Sequence, residues 1–147
     1  MKTEKIKWND FSEKTPPPQY VNSDSDIIVE YDNERIKMFG QCLFPSNDNT
    51  LKSRNHANHF HIIMLFDVIY TLNVIWNSAR IVKEKLGWTK MLSITTKSKI
   101  TQKIELDKKY TFEIEADKAK MNIWKIKMYI KNQEKIIAEV ETTAHVK

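Results

Sequence analysis

Glycine is almost missing from this sequence: Gly40 and Gly87 are the only two in 147 residues. That excludes a Gly-rich phosphate loop, which needs several residues free to turn their N–H groups toward an anion. Cysteine is present once, as Cys42, so no internal disulfide can form, and a buried thiol in a reducing compartment is expected. Arginine is scarce, and no helix-turn-helix, zinc-finger or RNA-binding motif occurs, which argues against nucleic acid as a partner. No long apolar run occurs either. Ile62 to Trp76 is broken by Asp67, Tyr70, Thr71 and Asn73, too short and too polar for a membrane span. Met1 to Asn9 is charged and lacks the apolar segment of an export signal. A soluble, cytoplasmic protein is expected.

What is present is a core and a surplus of lysine. A hydrophobic fraction of 41% suffices for one folded domain. The net charge of +5 comes mainly from lysines that alternate with apolar residues along strand-like segments. Such spacing describes a solvated face, or one that attracts phosphates of coenzyme A or an acidic carrier protein.

Residues 1–26 are polar, include Pro16-Pro17-Pro18, and read as an N-terminal arm that is docked or partly disordered; residues 27–147 read as a single domain. Ile27 to Tyr31, the turn residues Asp32-Asn33-Glu34, and Ile36 to Phe44 form a hairpin pattern. Pro45 to Asn58 reads as a loop. From His59 to about Leu86 no Pro or Gly intervenes, and Gly87 stands where a C-terminal cap belongs. The pattern predicts a helix of more than about twenty residues, apolar nearly all round over its first two-thirds and therefore buried. Strand-like segments follow at Lys90 to Thr96, Ile100 to Leu106, Tyr110 to Ala116, Met121 to Ile130 and Ile136 to Val146. In the last, Ile136, Ala138, Val140, Thr142, Ala144 and Val146 share one face.

A buried helix beside strands needs a sheet that curls around it, because a flat sheet covers one side only. The predicted class is α+β, the hotdog fold: a long central helix wrapped by a curved antiparallel β-sheet. Lipocalin-type barrels lack such a helix, and a ferredoxin-like domain needs a second helix for which no room remains after Gly87.

Polar residues on the buried helix are the first candidates for chemistry. At 100° per residue from Asp67, Tyr70 falls at about 300°, Asn77 at about 280° and Asn73 at about 240°. This stripe must find partners, since an unpaired buried group costs about 1–3 kcal/mol. It either bonds to loops or a partner subunit, or lines a ligand channel. Just upstream lie three of the four histidines, His56, His59 and His61. Their spacing suits a metal poorly and no nearby Cys completes a site, so no metal and no cofactor are expected. They are solvated loop residues, or acid/base and positioning groups beside a helix N-terminus whose free N–H groups could polarise a carbonyl. Ser53 and Ser78 lack the flanking glycines of a nucleophile elbow.

The run Arg35-Ile36-Lys37-Met38-Phe39-Gly40, a polar loop, and Asn58-His59-Phe60-His61 leading into Ile62 to Trp76 resembles hotdog enzymes that act on acyl thioesters. The likeness is nearest to the type III fatty-acyl thioesterases and their relatives, the lyases that add glycine to enoyl-carrier-protein thioesters. It spans about residues 26–79. In that family a Gly-His-Phe-Asn-like turn opens the central helix, and a helix Asn and a loop Tyr line the acyl site. His59 and Phe60 match directly; Asn58 replaces the glycine, His61 the asparagine, Tyr70 or Asn73 stands near the helix Asn, and Ser53 near the loop Tyr. More distantly, His59-Phe60 resembles the His-Phe-Pro turn of hydroxyacyl-carrier-protein dehydratases, but the proline is absent and Asn73 stands where their acid would fall.

The resemblance implies an enzyme on a fatty-acyl thioester of coenzyme A or acyl carrier protein, acting by hydrolysis. Dehydratase- or lyase-type chemistry on a carrier-protein thioester, or a non-catalytic acyl-binding module, are the alternatives. His59, His61, Tyr70 and Asn73 would form the catalytic set. Ser53, Asn58, Phe66, Asp67, Val74 and Asn77 would contact substrate. A homodimer or higher homo-oligomer follows by analogy.

Overall fold

The computed structural model describes residues 2–7, 20–22, 24–32, 34–69 and 91–146. In chain order these form β1 (Lys2–Lys7), β2 (Asp26–Tyr31), β3 (Arg35–Leu43), β4 (His56–Ala57), α1 (His59–Ile69), β5 (Met91–Ile100), β6 (Ile104–Glu105), β7 (Lys109–Lys120), β8 (Ile123–Asn132) and β9 (Lys135–Val146). Seven strands make one antiparallel sheet in the order β1-β2-β3-β7-β8-β9-β5, and β4 pairs with β6 in a small ribbon.

The sheet follows from alternation. Ile36, Met38 and Cys42 of β3, Tyr110, Phe112, Ile114 and Ala116 of β7, and Trp124, Ile126, Met128 and Ile130 of β8 are all buried. The residues between them carry charge and pair across strands: Arg35 with Asp117 at 2.6 Å, Lys37 with Glu115 at 3.4 Å, Lys131 with Glu113 at 2.6 Å, Lys127 with Glu141 at 3.1 Å. Exposed pairs of this kind contribute at most about 1 kcal/mol each, so they tune register more than stability. Burial pushes the Cys42 thiol pKa far up, leaving it a small core hydrophobe.

The scarcity of glycine has a cost at the turns. Asp107, Met121 and Gln133 take positive φ angles of 59°, 45° and 57° without being glycine. Each stands in or beside a connection leading into or out of β7 or β8, where the left-handed conformation costs an ordinary residue roughly 1–2 kcal/mol. Gly40 itself serves packing. It is register partner to Phe112, whose ring lies over it; a Cβ at position 40 would meet that ring, with Phe112 Cε1 at 2.7 Å. Because Phe112 is buried, its ring cannot swing away freely. Gly40→Ala should therefore cost about 1–3 kcal/mol, read as a lower urea midpoint at unchanged slope.

Several expectations need correction. The strand predicted from Ile100 to Leu106 does not form in the sheet. β5 runs on to Ile100, Thr101 then donates its N–H to the Ile137 carbonyl at 2.9 Å, and only Ile104–Glu105 is extended, paired with β4. The stretch Pro45 to Asn58, read as loop, accordingly holds β4. In β9 the inward set does not begin at Ile136, which is 39% exposed; Ile137 is buried instead. The register jumps between Ile130 and Lys131, and this bulge inserts one residue, which reverses the facing of every residue beyond it. Part of the N-terminal arm, Lys2–Lys7, is a sheet edge paired with β2.

α1 begins at His59, as the sequence predicts. Ile62, Leu65 and Phe66 are fully buried in the same core as the sheet's inner face, and α1 packs against β4, β5 and β9. The predicted continuation toward Leu86 lies outside the described residues.

Candidate functional site

The start of α1 is built from its capping residue. Asn58 Oδ1 accepts the Phe60 N–H at 3.0 Å, and the Asn58 carbonyl accepts the N–H groups of His61 and Ile62 at 3.1 and 3.2 Å. Asn58 is thus the N-cap, satisfying donors that the first helical turn cannot satisfy itself. No acidic residue stands in that turn, so the positive end of the helix dipole is not offset locally by a carboxylate of its own.

His61 secures the cap from behind. It is 1% exposed. Its Nδ1 accepts the Asn58 N–H at 3.1 Å, so Nδ1 carries no proton, and the Nε2 proton is assigned to a bond with Thr50 Oγ1 at 3.1 Å. The Thr50 hydroxyl donates in turn to Asp48, whose other carboxylate oxygen accepts from Tyr20 at 3.3 Å. One connected set, Tyr20–Asp48–Thr50–His61–Asn58, thereby ties the loop before β4 to the helix start. Burial, then the nearby Arg54 charge, hold the His61 pKa below its usual value. Protonation would remove the acceptor that Asn58 needs.

A pH dependence follows. The folded His61 binds a proton less readily than the unfolded one, so its stabilising share is intact above about pH 6.5 and declines as pH falls below that. The melting temperature should drop between about pH 7.5 and about pH 5.5, and by less in His61→Gln. Identical pH dependence in the two proteins would contradict the assignment.

His59 differs. It is exposed, and its Nδ1 lies 2.7 Å from Ser98 Oγ on β5, so helix start and sheet meet through this pair. Phe60 is 55% exposed beside it, its ring edge-on to His61 at 5.4 Å between centroids. Further along the inner side of β5, Thr96 Oγ1 is 3.1 Å from Thr142 Oγ1, and Thr142 donates to the Thr95 carbonyl at 2.6 Å. A short row of hydroxyls thus runs from Ser98 along β5 and β9.

The candidates divide accordingly. Asn58, His59 and His61 are brought together. Ser53 is exposed in the preceding turn. Phe66 is wholly buried in the core. Asp67 lies in α1, and its side chain is not described; Tyr70, Asn73, Val74 and Asn77 lie outside the described residues. Among the described residues no three His, Cys, Asp or Glu side chains are grouped as a metal would require, and no helix is long and apolar enough to cross a membrane.

Sequence reasoning missed Ser98, Tyr20, Asp48 and Thr50. Ser98 left a signal: in Thr95-Thr96-Lys97-Ser98-Lys99 the lysines mark the outer face, which turns Ser98 inward. The Tyr20–Asp48 contact left none, since it joins residues 28 apart across irregular chain.

No protein-family model matches the sequence, and no curated protein matches it. Solved structures do match in fold. A hypothetical thioesterase from Streptococcus pneumoniae, solved with coenzyme A, is 16% identical with a TM-score of 0.60, over 95% of this chain and 95% of that one. A protein designated a thioesterase from Lactococcus lactis is 7% identical with a TM-score of 0.64, over 96% and 98%. A Streptococcus mutans protein bound to acetyl-CoA is 15% identical with a TM-score of 0.54, over 86% and 91%. The chain therefore shares the hotdog fold of these proteins, a likeness of fold alone.

Proposed function

We propose that this protein hydrolyses the thioester of a fatty-acyl group carried by coenzyme A or acyl carrier protein. The reading is carried by the position of His59, exposed at the capped start of α1 and held against Ser98. Proteins of the same fold bound to coenzyme A and acetyl-CoA add support. Nδ1–H of His59 donates to Ser98 Oγ, which leaves Nε2 free to take a proton from water. The hydroxide equivalent adds to the thioester carbonyl carbon, the C–S bond breaks, and the imidazolium returns its proton to the leaving thiolate. The products are a carboxylic acid and a free thiol. N–H groups at the start of α1 offset charge developing on the carbonyl oxygen. His61 acts one step removed, by keeping Asn58 in place.

Tyr70 and Asn73, on the expected continuation of α1, position the carbonyl or the water, with Val74, Asp67 and Asn77 along the acyl path and Ser53 at its mouth; Phe66, enclosed in the core, supports that wall from behind and does not itself touch the substrate. A homodimer is part of the proposal. A second reading, a non-catalytic acyl-binding module, is favoured by one observation: no acidic side chain accompanies His59 in the first turn of α1. Purified protein incubated with a panel of acyl-CoA and acyl-carrier-protein thioesters separates the two. Release of free thiol supports hydrolysis. Tight acyl binding without thiol release, or formation of an enoyl or amine-adduct product, removes it.

A further inference from the structure

On the sheet face turned away from α1, β5, β9 and β8 leave a groove of about 310 Å³ lined by Thr95, Lys97, Lys125, Lys127, Glu141 and Thr143. Strand register puts Lys97, Glu141 and Lys127 side by side in one row and Thr95, Thr143 and Lys125 in the next. Three ammonium groups and two hydroxyls thus face a single carboxylate. Elsewhere on this face Arg35 is matched by Asp117, Lys37 by Glu115 and Lys131 by Glu113. In the groove only Lys127 is, through Glu141 at 3.1 Å. Lys97 also stands opposite Glu141, and Lys125 opposite Asp117, yet neither lysine makes an ion pair among the described residues, because Glu141 is engaged by Lys127 and Asp117 by Arg35. These two lysines, without an ion pair among the described residues, border a concave part of this surface that also offers hydroxyl donors.

We propose that this groove is a binding site for a phosphate dianion borne by a small molecule, with Lys97 and Lys125 supplying the charge and Thr95 and Thr143 the hydroxyl donors. Two cations balance one dianion, and threonine hydroxyls can donate to phosphate oxygens that the ammonium groups do not reach. Lys127 and Glu141 form the wall between the two rows. The site stands apart from the thioester chemistry, on the opposite face of the sheet from His59, and does not depend on that activity.

Calorimetric titration of the full chain with inorganic pyrophosphate, adenosine 3′,5′-bisphosphate and adenosine tests it. Saturable binding of both phosphate probes, and none of adenosine, is expected. Binding of the bisphosphate alone identifies a nucleotide as the source of the phosphate; binding of pyrophosphate alone identifies an inorganic or non-nucleotide one. Lys97→Gln combined with Lys125→Gln should weaken binding by about tenfold or more, since each lost charge-assisted bond is worth more than a neutral one. Lys131→Gln, on the same face but outside the groove, should bind as the parent does, because its partner Glu113 stands opposite Tyr129 and not opposite a groove lysine. The substitutions are on exposed side chains, and an unchanged melting temperature verifies the fold. Absence of saturation with both phosphate probes, equal binding of adenosine, or a double variant that binds like the parent overturns the proposal.

Discussion

His59→Ala is expected to lower kcat/KM for thioester hydrolysis by about a hundredfold or more, the usual share of a positioned acid/base group. The loss should fall on kcat, because an exposed imidazole at the helix start offers little ground-state binding to an acyl chain. Ser98→Ala should cost less, since it removes only the group that orients Nδ1. His61→Gln should reduce activity together with thermal stability, because it acts through the Asn58 cap. The three variants thus separate a proton-transfer role from two positioning roles. Thiol release on one acyl-CoA at several concentrations gives both constants. An unaltered rate in His59→Ala would dismiss the proposed base.

Phe66→Ala is expected to destabilise the fold by about 3–5 kcal/mol, the range for deleting a fully buried phenyl ring. Phe66 is 0% exposed and shares the core with Ile62 and Leu65, the residues that seat α1 on the sheet. Because whole domains of this size are stable by only about 5–15 kcal/mol, the variant should sit close to its unfolding midpoint. Urea unfolding should show a large fall in midpoint at constant slope. Phe60→Ala, nearly two turns earlier and 55% exposed, supplies the contrast and should stay within about 0.5 kcal/mol of the parent. Comparable losses in both would mean that α1 is not seated by that face.

Much of the sheet was legible because its chemistry is periodic. Tyr110 to Ala116 and Trp124 to Ile130 alternate without interruption, and each buried position follows from two-residue spacing. The β2–β3 turn was legible because Asp32 carries its own instruction: Oδ1 accepts the N–H groups of Glu34 and Arg35 at 2.8 and 2.9 Å. The helix start was legible from the change of pattern after Asn58.

What resisted reading depends on partners distant in sequence. The bulge that buries Ile137 and exposes Ile136 is a property of how β9 meets β8, and Ile136-Ile137 offers two equal apolar choices. The division of Lys90 to Leu106 into a long β5 and a two-residue β6 depends on the Ile137 carbonyl taking the Thr101 N–H. At the candidate site the sequence pointed to the histidines without separating them. Burial and hydrogen bonding do: His61 is enclosed with both ring nitrogens engaged, and His59 remains at the surface.

The seam between β3 and β7 sets a timetable for folding. β7, β8 and β9 are joined by tight turns, so their pairing can form from near neighbours, as can that of β2 with β3. Arg35 and Asp117, by contrast, are 82 residues apart in the chain. Bringing them together closes a loop through α1 and β5, and the entropy of that closure must be met before any β3–β7 contact repays it. The two hairpin systems are therefore expected to assemble separately and zip together late. Substitutions along the seam should mainly speed unfolding, while those within the meander slow folding.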